Sequence, residues 1–224
     1  MRVISGQYRG RTLRSLPGMD IRPTSDRLRE TLFNVLTARN PEALQGTVWL
    51  DLFAGTGAVG IEALSRGAKH VYFVEKAPPA IKLIERNLQR LEIADGYTIL
   101  HDDLSAILWR FKRQHVAADV VFLDPPYRMT HAYKETLTAL AEASVVWAMT
   151  LVIAEHEKKF DPGDEFGSLR RIRMLAQGNA ALSFYRIGGQ PDLNKLDVNK
   201  AGVNKPDSNK SKAGTILRLE ADRS

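Results

Sequence analysis

Apolar residues fall along this chain in two rhythms: short unbroken runs, and longer stretches with a spacing of three to four. Val48 to Phe53, His70 to Val74, Tyr97 to Leu100, Val120 to Leu123 and Met149 to Ala154 are the short runs. They are of the kind buried on both faces of a parallel sheet. Between them the spacing predicts helices from the Gly55–Gly60 loop to Arg66, from Pro78 to Leu91, from after Asp102-Asp103 to about Arg113, and from Ala132 to Ala143. Pro78 suits a first turn, where its missing N–H is harmless. Strands alternating with helices of this length predict an α/β fold with a doubly wound, mostly parallel sheet. Leu169–Leu175 and Ala181–Ile187, separated by Gln177-Gly178-Asn179, predict a closing antiparallel hairpin and bring the strand count to seven.

The two ends read differently. Val3-Ile4 and Thr12-Leu13 around Gly6 and Gly10 predict a small N-terminal β-hairpin. Leu28, Leu32, Val35 and Leu36 form the stripe of a helix from about Asp26 to Arg39, capped by Thr24 or Ser25. Beyond Gly188-Gly189, Asn-Lys recurs at 194–195, 199–200, 204–205 and 209–210, a period of five that matches neither helix nor strand. With almost nothing apolar to bury, this segment is expected to be a disordered, weakly basic appendage. Ile216 to Leu219 is apolar enough for one docked turn or strand. The expected organisation is thus residues 1–45 as a basic hairpin and helix packed on the core, 46–188 as the sheet domain, and 189–224 as a tail.

Composition narrows the function classes. The chain has 224 residues, 44% apolar and 26% charged, as a soluble globular domain does. The absence of cysteine excludes disulfides, thiolate catalysis and Cys-based zinc, and fits a reducing cytoplasm. No metal is expected. No apolar run approaches a membrane span, so no membrane partner is expected either. The net charge of +6 suits a polyanionic partner, or solubility alone. That charge is uneven: residues 1–29 hold Arg2, Arg9, Arg11, Arg14, Arg22, Arg27 and Arg29 against Asp20 and Asp26, with no lysine. Arginine forks suit phosphate. The alternative is a solvated hairpin face.

Candidate chemistry sits at the ends of two strands. Asp51-Leu-Phe-Ala-Gly55-Thr-Gly57-Ala-Val-Gly60, with Glu75 beyond it, fits the general dinucleotide pattern. Asp51 separates it from a pyrophosphate site, because a carboxylate before the turn repels phosphate and pairs with an ammonium group. S-adenosylmethionine carries that ammonium and a sulfonium, and no phosphate. Glu75 would then accept from the ribose hydroxyls, and Asp102 or Asp103 would face the adenine amine. The alternative for these acids is helix capping at strand ends. At the other strand end, Asp124-Pro125-Pro126-Tyr127 forces the chain out of the sheet in a stiff, extended loop. An aryl amine is a poor nucleophile because its lone pair is delocalised. The Asp124 carboxylate and the Pro125 carbonyl would accept its two N–H protons and favour a more pyramidal nitrogen. Tyr127 offers a face on which an extruded base stacks, worth ~1–3 kcal/mol. The alternative is a proline-rich turn with a surface Asp and a packing Tyr.

Residues 1–187 resemble the RsmD-type bacterial methyltransferases that modify a guanine N2 in small-subunit ribosomal RNA. The resemblance lies in Met1 to Arg11, Arg22-Pro-Thr-Ser-Asp-Arg27, Glu30-Thr-Leu-Phe-Asn34, Asp51 to Gly57, Asp124 to Tyr127, Glu155-His156 and Ala181-Leu-Ser-Phe-Tyr185. It implies a Rossmann-like class I methyltransferase sheet, S-adenosylmethionine as donor, and ribosomal RNA or a small-subunit particle as partner to a monomer. Carried onto these positions, Asp124, Pro125, Pro126 and Tyr127 hold the amine. Asp51, Phe53, Gly55, Thr56, Gly57, Glu75, Lys76, Asp102 and Asp103 hold the donor. Arg2, Arg9, Arg11, Arg14 and Arg22 meet RNA, though Arg22 and Thr24 equally suit the donor's carboxylate. His156 is expected to be a satisfied strand-end histidine rather than a base. Two other readings remain: an adenine-N6 methyltransferase acting on DNA or RNA, and a non-catalytic RNA-binding assembly factor.

Overall fold

The computed structural model describes residues 1–15, 26–188 and 215–216. In chain order the elements are α1 (Asp26–Thr37), β1 (Val48–Leu52), α2 (Ala58–Ser65), β2 (His70–Val74), α3 (Pro78–Arg90), β3 (Tyr97–Leu100), α4 (Leu104–Gln114), β4 (Val120–Leu123), α5 (Thr130–Glu142), β5 (Leu151–Glu157), β6 (Glu165–Phe166), β7 (Leu169–Gln177), β8 (Ala180–Ile187) and β9 (Thr215–Ile216). Among the described residues, nine strands form one sheet in the order β6-β7-β8-β5-β4-β1-β2-β3-β9. Seven correspond to the expected ones. The two additions are two-residue strands, too short to carry a side-chain alternation. β9 runs parallel to β3 and holds Ile216, the start of the run expected to form a docked turn or strand. Residues 189–214 and 217–224 lie outside the described residues, as do Thr24, Ser25 and Arg22.

The sheet is wound on both faces. Trp49, Val71, Phe73, Phe122 and Ile153 point to one face, where α1, α2 and α3 cover them. Leu50, Leu52, Val121, Leu123 and Val152 point to the other, under α4 and α5. β1, whose five residues are all buried, pairs in parallel with both β2 and β4. The winding therefore reverses at β1. A crevice opens outside the carboxyl ends of β1 and β4, where open α/β sheets take their ligands.

The N-terminal segment pairs antiparallel with itself: Val3 N–H donates to Arg11 O and Gly10 N–H to Val3 O at 2.9 Å, and Leu13 N–H to Met1 O at 3.0 Å. Arg2 and Thr12 form its bridge, with Gly6 and Gly10 at φ 83° and 81°. The donors of the connecting loop go to α2. Ile4 and Ser5 donate their N–H groups to the Glu62 carboxylate (2.7 and 2.9 Å), and Gln7 donates to the Ser65 carbonyl (2.7 Å), so the segment is anchored on that helix. Glu62 also accepts from Arg66 Nε at 2.8 Å and lies 3.9 Å from Arg29 Nε. Burial lowers the pKa of that Arg29 guanidinium, and Asp26 and Glu62 oppose the shift. Phe33 of α1 stacks on Trp49 at 5.5 Å, adding ~0.5–1.5 kcal/mol beyond burial. No described helix is long and apolar enough to cross a membrane.

Glu62→Ala would leave the buried Arg29 with Asp26 as its acidic partner, remove the partner of Arg66 and free two backbone donors. Urea unfolding is expected to show a loss of about 3–5 kcal/mol. A loss under about 1 kcal/mol would mean that this carboxylate does not hold the segment in place.

Candidate active site

Where β1 ends, the chain turns left-handed at Phe53 (φ 59°), Gly55 (55°) and Gly57 (75°) before α2 begins. One turn into α2, a Cβ on Gly60 would lie 2.3 Å from Phe73 and 2.7 Å from Val71. Only glycine lets α2 sit so close to β2, and that closeness brings the Gly60 N–H to 3.0 Å from Asp51 Oδ2. Glu75, just past β2, clamps the loop from the other side. One carboxylate oxygen accepts from Gly55 N at 2.9 Å, the other from Ala77 N at 2.8 Å. Both oxygens of Glu75 thus serve the backbone, and each keeps a further lone pair. Beyond β3, Asp102 accepts from the Asp103 N–H at 2.9 Å and from Arg110 Nη2 at 3.0 Å. Asp103 forms an exposed ion pair with Lys76.

Asp124 follows β4 directly, its N–H 3.4 Å from the Leu52 carbonyl. Leu123 is in register with Ala154 of β5, so the next residues, Asp124 and Glu155, are neighbours across the strands. Asp51 is in register with Phe122, two residues before Asp124. By strand alternation Asp51, Asp124 and Glu155 therefore share the face of Trp49, Phe122 and Ile153. Asp51 and Glu155 are buried, and Asp124 opens partly into the cleft. Burial pushes the Asp51 carboxyl up to about 8, only partly opposed by the Gly60 hydrogen bond. Burial, then Glu155 and Asp51, raise Asp124 well above the usual carboxylate range, and no described cation offsets either shift.

Asp51, Phe53, Gly55, Thr56, Glu75, Lys76, Asp102, Asp103 and all of Asp124–Tyr127 line one cleft of about 1180 Å³. Gly57 is buried just behind it, where a Cβ would meet Ile84 and Phe73 at 3.3–3.4 Å. The arginines are elsewhere. Arg2, Arg9, Arg11 and Arg14 are exposed outside the cleft lining, and Arg11 Nη2 donates to the last carbonyl of α3, Arg90 O, at 2.7 Å. The buried Asn87 ties this segment to the loop, bonding both backbone groups of Arg14 and donating to Thr56 O at 3.0 Å. His156 is fully buried on the opposite face, bonded to Ser183 Oγ and Glu157 O at 2.9 Å, and burial lowers its pKa.

Glu155 and Tyr133 are the unexpected members of the site. The Tyr133 hydroxyl donates to Glu155 O at 2.9 Å and lies 3.4 Å from Pro125 O, pinning the proline loop to β5. Glu155 was legible only as part of a resemblance. Tyr133 sits at an ordinary buried helix position with no sequence signal.

The family model described as Conserved hypothetical protein 95 matches residues 1–186. This chain belongs to that family. Within its reach, ribosomal RNA small subunit methyltransferase D of Haemophilus influenzae is 35% identical over 158 residues, covering 70% of this chain and 79% of that one. The Escherichia coli protein of the same name is 32% identical over 157 residues, covering 70% and 75%. The solved structure of a hypothetical protein from Thermus thermophilus superimposes with a TM-score of 0.69 at 31% identity, covering 84% of this chain and 99% of that one. A methyltransferase-fold protein solved in complex with SAH, SMU.776, shares the fold at 16% identity and a TM-score of 0.55, covering 72% and 48%. The α/β methyltransferase-like sheet is thus the fold of this Conserved hypothetical protein 95 member.

Asp51 ionises near 4 in an unfolded chain but keeps its proton to about 8 in the folded one. Between these values the native state binds the extra proton, so this residue makes stability fall as pH rises. Asp51→Asn keeps an acceptor for Gly60 N–H and removes the titration. Its Tm should match the parent near pH 4 and exceed it by a few degrees near pH 8. A difference independent of pH would contradict the raised carboxyl.

Proposed function

We propose that this chain transfers a methyl group from S-adenosylmethionine to the exocyclic N2 amine of a guanine in small-subunit ribosomal RNA. The observation that carries this reading is a set of buried carboxyls at the floor of one cleft, two of which, Asp51 and Asp124, no described cation relieves. A cation seated there would stabilise these carboxyls in their ionised form, which a phosphate would not. The donor, when bound, supplies an electrophilic methyl on a sulfonium and an ammonium group, so its charges suit these residues. Asp51 would take the ammonium, with the open backbone at Gly55 beside it. Glu75 would accept from the ribose hydroxyls, and Asp102 or Asp103 from the adenine amine.

Asp124 and the Pro125 carbonyl would hold the acceptor amine across the same cleft. Pro125 and Pro126 stiffen that corner, Tyr133 fixes it to β5, and Tyr127 gives an extruded base a ring to stack on. Alignment then supplies most of the rate, since effective molarities of ~10⁵–10⁸ M are open to well-oriented pairs. The buried His156 is bonded away from the cleft, and no general base is required if the amine proton leaves after transfer. The relatives named for small-subunit ribosomal RNA methylation supply the substrate class, and the exposed arginines of residues 1–15 suit its phosphates. The reading places a monomer in the cytoplasm, acting on ribosomal RNA or a small-subunit particle.

Asp124→Ala is expected to lower methyl transfer at least about 10²-fold while leaving donor affinity by calorimetry close to the parent's. Asp51→Ala should do the reverse and weaken the donor. Near-normal turnover of Asp124→Ala, with N2-methylguanine measured by mass spectrometry of nucleosides, would remove the amine-holding role.

A further inference from the structure

Guanine and adenine differ at the edge this cleft would grip. Guanine offers N1–H beside its N2 amine, two donors in a row. Adenine offers a bare N1 lone pair beside its N6 amine. Asp124 and the Pro125 carbonyl account for the amine in either case and do not choose between the bases.

Glu155 lies where the choice is made. It follows Ala154, which is in register with Leu123, so it stands beside Asp124 across adjacent parallel strands about 4.8 Å apart. Its side chain is on the same face, lines the same cleft, and is buried to 3% exposure. Its backbone is held to the proline corner through the Tyr133 hydroxyl, which fixes the relative height of the two carboxyls.

We infer that Glu155 is the specificity-determining residue of the site: its carboxylate accepts guanine N1–H while Asp124 and the Pro125 carbonyl accept from the N2 amine. This rests on the guanine-N2 reading and explains it. A carboxylate facing adenine N1 sets lone pair against lone pair in a desolvated pocket, which rejects that base more strongly than a missing contact would.

The experiment uses a 16S ribosomal RNA fragment carrying either guanine or 2-aminopurine at the position the protein methylates. 2-Aminopurine keeps the amine but has a lone pair at N1 and no N1–H. The parent protein is expected to prefer guanine by at least about a hundredfold. Glu155→Gln, whose amide can donate to N1, should narrow that preference to about tenfold or less with donor affinity by calorimetry unchanged. Glu155→Asp, which keeps the carboxylate, should slow both substrates yet retain most of the preference. 2-Aminopurine fluorescence on mixing with each variant reports base extrusion independently of methyl transfer, and is expected to rise more with Glu155→Gln than with the parent. A Glu155→Gln protein that slows both substrates by one factor, guanine still being methylated, overturns the role of Glu155 and leaves the guanine-N2 reading standing. Methylation of adenine by the parent overturns both.

Discussion

Two carboxyl groups held inside protein without a described cation, those of Asp51 and Asp124, are the constraint on which the site depends. Burying a carboxyl costs free energy that neutralisation or pairing must offset. The fold accepts this cost at the switch point between β1 and β4, where the sheet leaves a crevice. There Gly60 lets α2 descend far enough to give Asp51 one N–H donor. A cationic ligand is the natural complement to such a floor. The proposed donor and the proposed amine then share one set of walls.

The surroundings keep that geometry rigid rather than adding chemistry. Glu75 spans the glycine loop and the start of α3, Tyr133 spans the proline corner and β5, and Asn87 spans the loop and the N-terminal segment. Each link is a hydrogen bond to backbone, so the loops are positioned by main chain rather than by replaceable side-chain pairs. The Asn87 link also makes the arginine-bearing segment continuous with the glycine-loop side of the cleft. Under the proposed function, RNA seated on residues 1–15 would therefore bear directly on the Thr56 loop.

The fold was legible because its central strands are apolar at nearly every position and end in punctuation. Val120–Leu123 and Val48–Leu52 carry both signals, and their adjacency followed from the doubly wound pattern. The closing hairpin of β7 and β8 was equally plain. The antiparallel closure of the N-terminal segment was legible around its glycines, but the capture of its Ile4, Ser5 and Tyr8 donors by Glu62 and Ser65 of a helix some 57 residues away was not, a tertiary preference with no local trace. At the site, Asp51, Asp124 and the glycines stood out through residue type and spacing. Glu155 did not, since its place beside Asp124 depends on strand register. The left-handed turn at Phe53 was hidden for a similar reason, as nothing in a phenylalanine announces a positive φ.

The most direct measurement is a calorimetric titration with S-adenosylmethionine near pH 7 in buffers of different ionisation enthalpy, which counts protons exchanged on binding. A cation seated on a carboxyl raised to about 8 must drive its proton off, so binding is expected to release protons near pH 7 and to release fewer as pH passes about 8. A flat titration, or binding without proton release in the parent protein, would contradict the account.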